Sequence, residues 1–249
     1  MKYLLIFILI LPAYLALAQQ PLIHSHNDYA QSQPFVNAWR NKAFSIEADV
    51  YPGDSLSVAH DKKNITPGKT LVEMYLRPII VLFEKYHGHI SDDTAYAPVL
   101  MIDIKENSEA VITQLVKLLS PYRDIFDCTV NPKAVQVVLS GEKGTVQHWT
   151  QWTSYILFDG RPDEIYDGAT LQRVAFISDS YMNYANNKDS IEGRLQRLVK
   201  KVHGMGRLLR LWATPDNPSS WDLLNQSGVD IINTDKVSEC QNYFLSKHK

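Results

Sequence analysis

The feature that most constrains this chain is an alternation of short apolar runs with helical stretches. The runs start near Leu22, Phe44, Pro98, Ala134, Tyr155, Val174, Leu208 and Val229. Parallel strands must be joined by a crossover of a dozen or more residues, most often a helix, so strands alternating with helices indicate a parallel sheet. Eight such runs in one chain of 249 residues predict a single-domain (β/α)8 barrel, the TIM-barrel class of α/β fold. An open doubly wound sheet is the runner-up, but no glycine-rich phosphate fingerprint follows the first run. The helical stretches read Pro34–Lys42, Leu71–Tyr86, Glu109–Leu119, Ser190–His203 and Ser219–Gln226. Thr70 and Glu73 form a capping box for the second, and Pro78 is expected to kink or divide it.

In a barrel the chemistry gathers at the C-terminal ends of the strands. Here those ends are where the polar groups collect. The second run, Phe44–Tyr51, alternates so that Glu47 and Asp49 share one face while Ile46, Ala48 and Val50 share the other. Neighbouring carboxylates repel unless a cation or a shared proton lies between them. His60 and Asp61 follow a Pro-Gly-Asp turn. The first run ends in His24-Ser25-His26-Asn27-Asp28-Tyr29, the third in Asp103 and Lys105, the fifth in Asp159-Gly160-Arg161, and the seventh in Trp212.

Two ligand sets compete. His24-x-His26 resembles the metal pair of amidohydrolase-type barrels, but zinc in such a site asks for further imidazoles. His87, His89, His148, His203 and His248 fall on helical stretches or in the tail, and only His60 lies near the active face. The oxygen-rich set of Glu47, Asp49 and Asp103 instead selects a hard cation, Mg2+ or Ca2+. The histidines are then free for proton transfer.

Composition narrows the partners. Lys+Arg 25 against Asp+Glu 27 gives a net charge of −2, so no basic field is available to hold nucleic acid. No long Lys-rich amphipathic helix is present for membrane docking, which favours a small phosphodiester or phospholipid-derived substrate without stable membrane insertion. Lys2, the apolar run Tyr3–Leu17 and Ala16-Leu17-Ala18 read as a signal peptide over residues 1–18, leaving residues 19–249 as the folded domain. The expectation is export to a periplasm or secretion. Cys128 and Cys240 are too few to form a disulfide framework.

His26, Glu47-x-Asp49, His60-Asp61 and Asp103-x-Lys105, in strand order, resemble the glycerophosphodiester phosphodiesterase and phosphatidylinositol phospholipase C-like superfamily. The likeness spans the mature chain and is sharpest from His24 to Lys105. It implies His26 and His60 as general acid and base, Glu47, Asp49 and Asp103 as ligands of one divalent cation, and Lys105 as a phosphate contact. Trp212, Asn27, Arg161 and His24 are further candidates for touching substrate. Two departures stand out: His26-Asn27-Asp28 replaces the His-Arg-Gly of many members, and Asp103 stands where Glu is frequent. The first of these resembles an exported bacterial branch with a His-Ser-His-Asn-Asp-Tyr motif. A metal-dependent phosphoric diester hydrolase is the resulting expectation. The alternatives are a zinc hydrolase built on His24 and His26, and a catalytically silent binding protein.

Overall fold

The computed structural model describes residues 20–185 and 190–247. The segment read as a signal peptide, and Asn186-Asn187-Lys188-Asp189, a loop by its composition, lie outside the described residues. Nine strands are found among them: β1 (Leu22–Ser25), β2 (Ser45–Tyr51), β3 (Ser57–Val58), β4 (Val99–Ile104), β5 (Gln136–Gly141), β6 (Ile156–Gly160), β7 (Val174–Ser180), β8 (Leu209–Trp212) and β9 (Ile231–Thr234). All but β3 run parallel in the order β1-β9-β8-β7-β6-β5-β4-β2, and β1 pairs with β2 to close the ring. The fold is therefore a single-domain (β/α)8 barrel. The short β3 turns back antiparallel on β2, with Val58 opposite Val50, and so brings His60 back beside the mouth.

The period of two divides each strand between two environments. Ile46, Ala48 and Val50 of β2 and Leu100, Ile102 and Ile104 of β4 join helix residues such as Val111, Ile112 and Leu115 in the layer between barrel and helices. The alternate positions face inward. Near the N-terminal ends these are apolar, and Val99, Met101, Val138, Phe176 and Ile231 form a separate small plug. Further along the same strands the inward positions become His24, Glu47, Asp49, Asp103, Ser140, Asp159, Ser178, Arg210 and Asn233. One register line sets Asp49, Asp103 and Ser140 abreast on β2, β4 and β5. Gly141 makes that line possible: its φ is +66°, and a Cβ there would lie 2.4 Å from Asp103 Oδ1.

The stretch Leu71–Tyr86 divides near Pro78, as expected, into a π-helical turn, Val72–Leu76, and an α-helix, Arg77–Lys85. Pro78 falls in the first turn of the latter, where a missing N–H costs little. The last strand begins at Ile231 rather than Val229, because the Val229 N–H still bonds Leu224 O at the end of the preceding helix. Both cysteines are free thiols, Cys128 exposed and Cys240 buried.

Candidate active site

Carboxylate oxygens of Glu47, Asp49 and Asp103 lie within 4.8 Å of one another. Glu47 and Asp49 are only 4% and 1% exposed, so water does little to screen their repulsion. Lys105 Nζ answers part of it, 2.7 Å from Asp49 Oδ2 and 3.2 Å from Asp103 Oδ1. The other oxygen, Asp49 Oδ1, is buried with no hydrogen-bond partner. Burial pushes Asp103 up to about 6 against the pull of Lys105, with Glu47 and Asp49 adding to the rise. Asp49 also moves up, from burial and the Glu47 charge. An orphaned carboxylate oxygen among three converging acids fits a hard divalent ion, and the all-oxygen donor set suits Mg2+ or Ca2+ better than zinc.

Glu47 moves the opposite way, to about 2: burial is outweighed by the His24 hydrogen bond and the His24, Arg210 and His26 charges. His24 is wholly buried beneath it, with Nε2 2.8 Å from Glu47 Oε2 and Nδ1 2.9 Å from Ser45 Oγ. Burial and Arg210 hold the His24 pKa down at about 4. Arg210 Nη1 approaches His24 Nε2 to 2.8 Å and Asn233 Oδ1 to 3.0 Å, while its Nε donates to Ser178 Oγ. The same guanidinium lies 3.9 Å from Glu47 and 3.7 Å from Asp159.

The two mouth histidines are held differently. Nδ1 of His26, the residue just after β1, lies 2.8 Å from Asp235 Oδ1 beyond β9. Burial opposes its charged form, but the Asp235 hydrogen bond and the Glu47 and Asp235 charges raise its pKa overall. The His60 side chain is 66% exposed and lies with Nδ1 3.2 Å from Asp49 Oδ2. The loop between them is built on strain. Phe35 takes a φ of 62°, a conformation that is an outlier for a bulky residue. Its N–H reaches buried Asp28, which also accepts from Ser25 Oγ and Tyr75 Oη.

A cavity of about 230 Å³ is lined by His26, Asn27, Glu47, Asp49, His60, Asp103, Lys105, Ser140, Arg161, Arg210 and Trp212. It brings together every residue named as a candidate acid, base, metal ligand or substrate contact except His24, which lies beneath Glu47 rather than on the wall; Asp61 of the His60-Asp61 pair does not line it. Arg161 bonds Asp159 Oδ2 at 2.8 Å and stands 4.8 Å over the Trp212 ring. A larger cavity of about 430 Å³, between Glu109, Ile112, Lys143, His148 and Trp152, shares none of these residues. Size alone does not decide the site; convergent polar groups do.

Sequence reasoning missed Arg210 and Tyr29. Arg210 interrupts an otherwise apolar run, Leu208-Leu209-Arg210-Leu211, at an inward position, and a charge there was a readable signal. The role of Tyr29 had no signal, because its contacts cross from the first strand end to the second.

The parallel eight-stranded barrel has the fold of the glycerophosphodiester phosphodiesterase barrels, as two solved structures show. A glycerophosphodiester phosphodiesterase from Parabacteroides distasonis superposes with a TM-score of 0.58 at 14% identity, over 92% of this chain and 98% of that one. A putative glycerophosphoryl diester phosphodiesterase from Agrobacterium tumefaciens gives 0.52 at 15% identity, over 92% and 98% of the two chains. More narrowly, residues 17–159 match the AIM6-like phosphodiesterase domain, more than half of the chain, and the chain belongs to that family. The relatives include a fungal protein named "Altered inheritance of mitochondria protein 6 homolog" from Arthroderma benhamiae, 27% identical over 89% of this chain and 83% of its own length. Another, "Altered inheritance of mitochondria protein 6" from Eremothecium gossypii, is 26% identical over 86% and 67%.

These relatives correct the expected localisation. They are eukaryotic proteins named for mitochondrial inheritance, not bacterial periplasmic or secreted ones. An apolar N-terminal run with a small-x-small pattern does not by itself determine the compartment. No helix among the described residues is long and apolar enough to cross a membrane.

Proposed function

We propose that the phosphodiesterase domain is a metal-dependent phosphoric diester hydrolase for glycerophosphodiesters or phospholipid head groups. Glu47, Asp49 and Asp103 would hold one Mg2+ or Ca2+, which when bound supplies charge neutralisation at a phosphoryl oxygen. Lys105 adds a cationic contact from the same wall. His26, oriented by Asp235, and His60, set against Asp49, exchange protons with the attacking and leaving oxygens, each contributing about 10²–10⁴-fold. Arg161 and Trp212 form the opposite wall and orient the substrate.

The observation that carries this reading is the buried, unpartnered Asp49 Oδ1 inside the acid cluster. Charge counting agrees with it. Three carboxylates against Lys105 leave two negative charges on one wall, a match for a divalent cation. Asp159 between Arg161 and Arg210 leaves one positive charge on the other, a match for a monoanionic diester. Zinc at His24 and His26 is disfavoured because Arg210 Nη1 occupies the approach to His24 Nε2 at 2.8 Å.

The test is hydrolysis of bis(p-nitrophenyl) phosphate with and without EDTA, followed by metal analysis. Activity abolished by EDTA and restored by Mg2+ or Ca2+ supports the reading. EDTA-insensitive turnover, or restoration by zinc alone, contradicts it. A panel of glycerophosphodiesters and lysophospholipids then identifies the substrate.

A further inference from the structure

We infer that Tyr29 is a positioning residue: its hydroxyl fixes the His60 imidazole and ties it to His26 in one hydrogen-bonded frame. The inference rests on the proton-transfer role proposed for His60. Tyr29 lies on a single 3-10 turn, Asp28–Ala30, which buried Asp28 pins through Ser25, Phe35 and Tyr75. Its Oη stands 2.8 Å from Asp49 Oδ2, 2.7 Å from Asn27 Oδ1 and 3.2 Å from His60 Nδ1.

A phenol has one proton to give. Donated to Asn27 or Asp49, it leaves the oxygen to accept from a His60 Nδ1–H shared with Asp49. That assigns His60 the Nδ1–H tautomer and leaves Nε2 bare for proton transfer. The need for such a tether is plain from exposure: with two-thirds of the His60 side chain in solvent, packing does little to set its ring angle. Among the described residues, its side-chain hydrogen-bond partners are Asp49 and Tyr29. The frame continues from Tyr29 to Asn27, whose side-chain amide bonds Asp235, the carboxylate that also accepts the His26 Nδ1–H at 2.8 Å. Both imidazoles thus belong to one polar arc across the mouth, with Tyr29 at its centre.

The experiment is a double-mutant cycle on the whole chain with Tyr29→Phe and His60→Ala, combined with ring-nitrogen NMR of His60. Tyr29→Phe keeps the ring and removes only the hydroxyl. It should lower kcat roughly 10–100-fold, the usual cost of losing an orienting partner, with KM little changed. In the His60→Ala background it should add almost nothing, because it acts through a group no longer present. The His60 nitrogens should report an Nδ1–H tautomer in the wild type and an averaged ring in Tyr29→Phe. Effects that multiply in the double variant, or His60 shifts unchanged by Tyr29→Phe, overturn the inference. Full activity in Tyr29→Phe with His60→Ala inactive overturns it alone, whereas full activity in His60→Ala overturns the proposed function as well.

Discussion

The two walls of the barrel mouth follow opposite electrostatic plans. The wall from β2 and β4 concentrates Glu47, Asp49 and Asp103 around a single lysine and leaves a carboxylate oxygen without a partner. The wall from β6 and β8 sets one acid, Asp159, between two guanidiniums, Arg161 and Arg210. One wall is short of positive charge and the other carries a surplus. A buried imbalance is costly unless something arrives to relieve it. The difference supports the proposed placing of a cation at the first wall and of an anionic substrate against the second.

The largest expected effect lies between the walls, at the histidines. His26→Ala and His60→Ala should each lower kcat by about 10²–10⁴-fold while the thermal midpoint stays near that of the wild type. A near-native rate in either variant breaks the account. The second effect is on stability. Arg210→Met removes the charge that answers Glu47 and Asp159, and breaking a buried pair this way costs about 3–5 kcal/mol. Lys105→Met, at a more open position, should cost less. Urea unfolding of the two variants measures the contrast, and equal losses would blur the distinction between the walls.

The third prediction concerns pH. Asp103, raised to about 6, is ionised at neutral pH and protonates as the pH falls through that value. An acid with a raised pKa destabilises the metal-free protein when ionised, so a cation relieves more repulsion at pH 7.5 than at pH 5. The rise in melting temperature on adding Mg2+ or Ca2+ should shrink across that interval. Glu47, lowered to about 2, contributes stability that is present above its unfolded pKa and fades only as the pH falls towards 2. Its loss is thus separable from the Asp103 step. The smallest effect is expected at Trp212→Phe, which keeps an aromatic face for Arg161 and should change KM by a few-fold at most, as measured by steady-state kinetics.

The same contrast explains how much of the site was legible in the sequence. The acidic wall is local in sequence: Glu47 and Asp49 alternate on one strand, and Asp103 and Lys105 end another, so a period of two exposes them. Eight apolar runs likewise announced the barrel, because strand burial leaves a continuous hydrophobic trace. Asp159, Arg161 and Trp212 also end their strands visibly, but the pairings that join the basic wall and the histidine frame are products of closure. Arg210 meets His24 across 186 positions, and His26 meets Asp235 across 209; no spacing rule joins such residues. Tyr29 was hidden for the same reason, since its partners Asp49 and His60 come from the next strand and its return loop.

The measurement that tests the central claim most directly is calorimetric titration of metal-stripped wild-type protein and the Asp49→Asn variant with Mg2+ and Ca2+. The account predicts one ion bound per wild-type chain and binding lost or greatly weakened in Asp49→Asn. Wild-type protein that binds neither ion, or a variant that binds as well as the wild type, would contradict it.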